Sequence, residues 1–254
     1  MLPSERQEKV FQLLASRGIV TIPELMAEYK VSIETVRRDL AALEKQGKIE
    51  KVYGGARVRQ MPGEPEMESR MTGRLPQKQA IGKKCSEYIN DGDCIFIDSG
   101  STAYNVSKYI LNKKKLTVIT NSIPVVNELM ETEFEIILIG GRVRHEERSV
   151  VTYEHIFDFS QLNIQKSFIG AGGITVENGI SDYNMQEAVT RKMILERSRD
   201  IYVVADSSKF GKDVTINVVP ISKIDYIITD SQLSKGIADE FKKNKANIVL
   251  AQIE

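Results

Sequence analysis

Asp98-Ser99-Gly100-Ser101-Thr102 brings together small residues, hydroxyls and a carboxylate directly after an apolar run and directly before a helical pattern. Small residues let successive backbone N–H groups converge, and a helix start adds positive field, so the stretch has the chemistry of a phosphate cradle. Four further polar stretches follow apolar runs in the same way: Thr120-Asn121-Ser122, Gly140-Gly141-Arg142, Gly170-Ala171-Gly172-Gly173 and Asp206-Ser207-Ser208-Lys209. Ser99, Gly100, Ser101 and Thr102 are expected to hold a phosphate, Asp98 and Asn121 to orient hydroxyls, and Lys209 to balance the anion. Thr120, Gly140 and Gly141 belong to the same expected site. Asp182 is added to it, although acids near helix starts, Glu187 included, are commonly only solvated. A second group, Ser32, Thr35, Arg37 and Arg38, sets hydroxyls and two guanidinium groups near the start of a helical stretch. That is the chemistry of a helix entering a DNA major groove by its N-terminal end.

The elements that must position these groups fall into two grammars. Over Ile33, Val36, Leu40 and Leu43 the apolar residues recur three or four apart, which predicts an amphipathic helix capped by Ser32. Two helices precede it. One opens at Pro3-Ser4 with a Ser4/Gln7 box and ends at Gly18; the other opens with a Thr21/Glu24 box and Pro23 near its first turn. The helix from Ser32 ends near Gly47. Ile49–Val58 then reads as a hairpin wing in which Gly54-Gly55 makes a tight turn or a hinge. Lys51, Arg57 and Arg59 put positive charge on the wing, suited to backbone phosphates or a minor groove. Asp39 pairs within the protein or accepts from cytosine N4. These features predict a winged helix-turn-helix over residues 1–60. Residues 61–79, broken by Pro62, Gly63 and Pro65, read as a linker with a partial helix over 67–79 that leaves Arg70 and Arg74 exposed.

From Ala80 to residue 254 strands and helices alternate. Strands are predicted at 94–97, 116–119, 136–139, 166–169, 202–205, 224–229 and 247–251. Helices are predicted at 80–89, 101–111, 123–131, 150–161, 183–198 and 232–243. Apolar strands separated by helices define an α/β class with a mostly parallel sheet covered on both faces, and such sheets bind ligands at the carboxyl ends of their strands.

The chain has 254 residues, 41% apolar and 28% charged, with 35 basic and 35 acidic residues. Residues 1–60 hold 11 Lys/Arg and 8 Asp/Glu, net +3; residues 61–254 hold 24 and 27, net −3. The asymmetry has the sign expected of a DNA-binding head. No apolar run reaches the roughly 18 to 20 residues of a membrane span, and the start lacks a signal-peptide pattern. With Cys85 and Cys94 its only cysteines, the chain reads as a reduced cytoplasmic protein without a disulfide scaffold. His145, His155 and the two cysteines form no metal-like grouping, so no metal site is expected. The Asp98 loop lacks the Gly-Lys-Ser/Thr of a nucleotide P-loop and is not a Rossmann fingerprint, and no cofactor is expected.

Val31-Ser32, Thr35-Val36-Arg37-Arg38-Asp39-Leu40, Leu43-Glu44, Gly47 and Gly54-Gly55-Ala56 stand in an order that resembles the DNA-binding signature of the DeoR family of bacterial sugar-metabolism regulators. Tyr29 stands where the family usually has Phe. Asp98–Thr102, Thr120-Asn121, Gly140-Gly141 and Asp206–Lys209 resemble the family's effector domain. The resemblance implies that Ser32, Thr35, Arg37 and Arg38 face operator DNA. It implies a phosphorylated sugar or related metabolite as effector, a homodimer or homotetramer, and repression released by the ligand. Arg148-Ser149-Val150-Val151-Thr152 departs from the family's glycine at that point, leaving the effector's identity open. The family body also resembles ribose-5-phosphate isomerase, whose chemistry needs a placed carboxylate base. Here the corresponding strand end carries Gly170-Ala171-Gly172 with no acid, so no catalytic residue is assigned. The alternatives are an isomerase-like enzyme, or a DNA-binding protein whose C-terminal domain only assembles it.

Overall fold

A computed structural model describes the chain except residues 1–2, 18, 46–48, 53, 59–63 and 153–157. The expected stops at Gly18 and Gly47, the wing residue Arg59, and the side chains of Ser4 and Arg57 lie outside what is described. The chain forms two compact units, residues 1–63 and 64–254.

In the first unit, α1 (Pro3–Arg17), β1 (Ile19–Thr21), α2 (Ile22–Tyr29) and α3 (Ile33–Lys45) are followed by β2 (Ile49–Val52) and β3 (Gly55–Val58). The apolar stripe of α3 packs as its spacing requires: Val36, Leu40 and Leu43 are buried with Val10, Leu14, Val20, Leu25 and Ile49. Of the three expected caps, the two whose side chains are described both form. The Thr21 N–H donates to Glu24 Oε2 at 2.7 Å while Glu24 N–H donates back to Thr21 Oγ1, and Thr35 N–H donates to Ser32 Oγ at 3.4 Å. The wing is three-stranded, in the order β1-β3-β2 and antiparallel. Two four-residue strands are too short to stand alone, and β1 supplies the third.

The second unit opens with α4 (Met67–Thr72) and α5 (Leu75–Ser86). Most of the segment expected as a linker thus belongs to this unit. There follow β4 (Cys94–Ile97), α6 (Ser101–Lys108), β5 (Thr117–Thr120), α7 (Ile123–Leu129), β6 (Glu135–Leu138), β7 (Arg142–Arg144), β8 (Ser149–Val151) and β9 (Ile164–Ile169). The chain continues through β10 (Gly173–Thr175), β11 (Gly179–Asp182), α8 (Met185–Leu195), β12 (Ser198–Val204), β13 (Ile216–Val219), β14 (Tyr226–Asp230), α9 (Lys235–Lys243) and β15 (Ile248–Ala251). Seven strands form one parallel sheet in the order β15-β14-β12-β9-β4-β5-β6. Its central strands are rich in buried apolar residues because both faces are covered. Phe96, Ile169 and Val203 enter one core cluster; Ile95, Ile97 and Phe168 enter the other.

Two features depart from expectation. The predicted helix over 150–161 is absent where the chain is described: Ser149–Val151 is β8, paired with β7, and Phe159–Gln161 is one 3-10 turn. Adjacent buried valines at 150 and 151 favour an extended ladder over a helix. A second antiparallel sheet, β10-β11-β13, also forms beside the site.

Candidate functional site

The floor of the site is built from buried charge at the carboxyl ends of the parallel strands. Asp98 leaves β4 fully buried. Its carboxylate accepts hydrogen bonds from Ser99 N–H (2.9 Å), from Gly170 N–H at the end of β9 (3.0 Å) and from Arg191 Nε of α8 (2.5 Å). Burial dominates and pushes the Asp98 carboxyl up to about 6, against the opposing pull of Arg191 and Gly170. Arg191 also donates to Asp182, so one buried guanidinium serves two buried carboxylates. Burial works against that guanidinium's charge, but Asp182 and Asp98 outweigh it and hold Arg191 protonated. Glu187, also buried, accepts from Ser149 Oγ at 2.5 Å and from Ser99 Oγ at 3.2 Å. Asn121 Oδ1 accepts Ser99 N–H at 2.9 Å.

Above this floor lies a cavity of about 280 Å³. Gly100 takes a left-handed φ of +104° as the chain turns into α6, a conformation that suits glycine. Ser101 and Thr102 form the first turn of α6 at the cavity wall. Lys209 lines the same cavity from a 3-10 turn after β12. Its ammonium has no hydrogen-bonding or ion-pair partner among the described residues, and burial lowers its pKa. Lys78 of α5 also lines the cavity; it donates to the Arg70 and Gly73 carbonyls, and burial brings it down to about 8.

The structure therefore gathers Ser99, Gly100, Ser101, Thr102, Asp182 and Lys209 around one cavity. Asp98, Thr120, Asn121, Gly140 and Gly141, expected in the same site, do not line it. Asp98 and Asn121 sit beneath it as supports for Ser99. Thr120 donates to the Ile97 carbonyl at 2.6 Å, tying β5 to β4. Gly141 has a packing reason instead, since a Cβ there would run into the Val151 carbonyl.

Several lining residues carry no local sequence signal. Arg74 is exposed as expected and pairs with Asp206 at 2.9 Å, whereas Arg70 of α4, expected to be exposed, is half-buried and pairs with buried Glu147. Glu64 pairs with Arg144. Burial, with Glu64 and Glu187 nearby, pushes the Glu147 carboxyl up to about 8 in spite of Arg70.

In the first unit, Arg37 and Arg38 are exposed on α3, with Ser32 exposed and Thr35 half-buried near its start. Asp39, on the other side, is buried and accepts from Arg6 Nε at 2.6 Å and from Gln7 Nε2 at 3.2 Å. Lys51 on β2 pairs with Glu44 at 2.6 Å. Gly54 turns the wing with φ +77°. Gly55 is buried, and a Cβ there would strike the Val20 carbonyl and stand 2.9 Å from Thr21 Cα. Arg57 lies in β3 opposite Glu50.

A winged helix-turn-helix unit joined to an α/β unit with a polar strand-end cavity is the layout of a ligand-responsive transcriptional regulator. Residues 6–61 match the family described as DeoR-like helix-turn-helix domain, and residues 74–231 match the DeoR C terminal sensor domain. The chain belongs to the DeoR family of DNA-binding transcriptional regulators. It is 33% identical to the HTH-type transcriptional regulator YgbI of Escherichia coli (strain K12) over 100% of both chains. It is 32% identical to the glycerol-3-phosphate regulon repressor of the same organism, over 91% of this chain and 92% of that one. It is 30% identical to the HTH-type transcriptional regulator IolR of Bacillus subtilis (strain 168), over 97% and 98%. Among solved structures, ribose 5-phosphate isomerase from Plasmodium falciparum matches at a TM-score of 0.39 and 17% identity over 52% of each chain. That likeness is too slight to bear on the site.

Proposed function

We propose that this protein is a cytoplasmic repressor of a carbohydrate catabolic operon whose affinity for double-stranded operator DNA is modulated by a phosphorylated sugar or related metabolite. The observation that carries the reading is the cavity. It joins the first turn of α6, the Lys209 ammonium and a hydrogen-bonded polar floor, within a chain whose other unit displays Arg37 and Arg38. Phosphate suits a helix start and an ammonium; sugar hydroxyls suit carboxylates such as Glu187 and Asp182. The glycerol-3-phosphate regulon repressor, by its name, represses the regulon of a phosphorylated metabolite. Ser32, Thr35, Arg37 and Arg38 contact the major groove, and Lys51, Arg57 and the Gly54-Gly55 turn carry the wing to the backbone.

Sensing is favoured over catalysis by the state of the acids. An aldose–ketose isomerase needs a carboxylate free to take a proton. Asp98 and Asp182 are both held by Arg191, and the end of β9 continues as Gly170-Ala171-Gly172. The working form is a homodimer or homotetramer, an assignment supported by apolar Leu138 and Leu250 exposed on the two edge strands β6 and β15. The ligand weakens DNA binding through its differential affinity for assemblies whose heads do or do not fit the operator half-sites.

The test is binding to the DNA upstream of the protein's own operon, at one moderate salt concentration, during titration with a panel of sugar phosphates. Release by one compound, with its unphosphorylated form inactive, is expected. Arg38→Ala is expected to abolish specific binding and keep ligand affinity; Lys209→Ala is expected to do the reverse. Tight specific binding that no panel member alters, or turnover of a pentose phosphate, overturns the sensor reading.

A further inference from the structure

We infer that Arg70 and Arg74, supplied by the segment that follows the DNA-binding unit, are anion-binding residues of the sensor cavity, held in reserve by Glu147 and Asp206 until an anionic ligand displaces those carboxylates. The inference rests on the proposed sensor function and adds to it residues outside the strand-end loops. Both arginines line the cavity, beside Lys78, Lys209 and the first turn of α6. Each is held there by a carboxylate that is itself almost wholly buried, with side chains of Glu147 and Asp206 both 3% exposed. Neither carboxylate is a comfortable resting partner. Glu147 shares its pocket with Glu64 and Glu187, and burial disfavours its charge. Asp206 is committed elsewhere as well, accepting the Ser208 N–H at 3.0 Å.

Arg74 carries a further mark. It begins α5 in a left-handed conformation, φ +54°, which L residues other than glycine seldom adopt and which tends to persist where function requires it. Its guanidinium also donates to Ser207 Oγ at 2.8 Å, in the same 3-10 turn as Lys209. A phosphate dianion offers three oxygens to guanidinium forks and so outcompetes a single carboxylate. Lys78 adds a connection: its ammonium is bound to the carbonyls of Arg70, in the last turn of α4, and of Gly73, its C-cap. A change of partner at Arg70 and Arg74 therefore acts on α4, which begins only a few residues after the DNA-binding unit in the chain.

The test uses the full chain and inorganic phosphate, with the dissociation constant followed by calorimetry. Arg70→Gln and Arg74→Gln are each expected to weaken phosphate binding by roughly tenfold or more, the scale of a lost charged hydrogen bond. Glu147→Gln and Asp206→Asn remove the nearest charged partner of each arginine, leaving Arg70 only the 3.8 Å contact with Glu64 as an ion pair, and are expected to tighten it by roughly threefold to tenfold. A gain of affinity cannot arise from misfolding, so these two variants keep the test decisive if an arginine variant folds poorly. If Lys209→Gln weakens phosphate binding while all four other variants stay within about twofold of the parent, Arg70 and Arg74 are not ligand residues and the sensor reading survives. If phosphate does not bind the parent protein at all, both readings fall.

Discussion

Arg191→Ala removes the single cation between Asp98 and Asp182. The two carboxylates are fully and nearly fully buried, and Arg191 bridges them from α8. Removing one partner of a buried ionic group typically costs about 3–5 kcal/mol, because the remaining charge stays desolvated and unpaired. The loss must also depend on pH in a definite direction. Asp98 is already raised to about 6 by burial, while an unfolded aspartate titrates near 3.8. Between those values the folded state holds the extra proton, so stability from Asp98 is full below about 3.8 and is lost as pH rises to about 6. Without Arg191 the folded pKa moves higher still, and the loss continues into the neutral range. The difference between the parent and Arg191→Ala therefore grows between pH 6 and 8, by at most about 1.4 kcal/mol per pH unit for one proton. Urea denaturation of the full chain, followed by near-ultraviolet circular dichroism, reads this. The stacked pair Tyr202 and Tyr226, 5.0 Å apart, reports on the sheet of the second unit. A second variant, Arg191→Met with Asp98→Asn, keeps the volume, removes one of the charges and is expected to recover at least half the loss. A cost below about 1 kcal/mol, or one equal at pH 6 and pH 8, would refute the reasoning.

Three other outcomes follow from the same geometry. Asp39→Ala strips Arg6 and Gln7 of their buried acceptor and is expected to lower the stability of the first unit by about 1.5–3 kcal/mol; thermal melting checks this, and an unchanged midpoint would mean that water replaces the carboxylate. Gly55→Ala puts a methyl against the Val20 carbonyl, so the wing must shift; DNA affinity is expected to drop while the denaturation of the second unit stays the same. Glu147 is held near 8 against an ordinary 4.5, mainly by burial, with Glu64 and Glu187 adding to the rise and Arg70 opposing it; Arg144 and Lys209 also face it. The raised value means stability that is full below about 4.5 and falls as pH climbs to about 8; Glu147→Gln is expected to flatten that part of the pH–stability curve, and a parent protein equally stable at pH 5 and pH 8 would contradict it.

What could be read directly from the residues was whatever local periodicity encodes. The stripe of α3, the Thr21/Glu24 box and the Ser32 cap all lie within a few positions of each other, and all three form. The seven parallel strands were legible because burial on both faces gives each a short cluster of apolar residues. The strand-end loops were legible because hydroxyls and glycines cluster only there. The charged scaffold around the cavity was not. Arg191 lies within α8 and reaches Asp98 across 93 positions; Arg70 reaches Glu147 across 77. At that separation a charge in a helical pattern looks like any solvated residue. The short strands β7, β8, β10, β11 and β13 were missed for another reason: three or four residues give too little alternation to register. Gly141 misled because a glycine needed for close backbone approach looks the same as one that makes room for a ligand.

The Lys51–Glu44 pair on the wing has a kinetic meaning. Its two charges lie 2.6 Å apart and both side chains are more than two-fifths exposed. Beyond a Debye length of roughly 8 Å that corner looks neutral, so it exerts little pull on a distant duplex. Arg37 and Arg38 have no such internal counter-ion among the described residues, so in the proposed complex they would add to the field that draws a duplex in. In the proposed complex Lys51 would enter only after contact, when a phosphate can take the place of Glu44. On the proposed DNA-binding roles, α3 would steer capture and the wing would set how long the complex lasts.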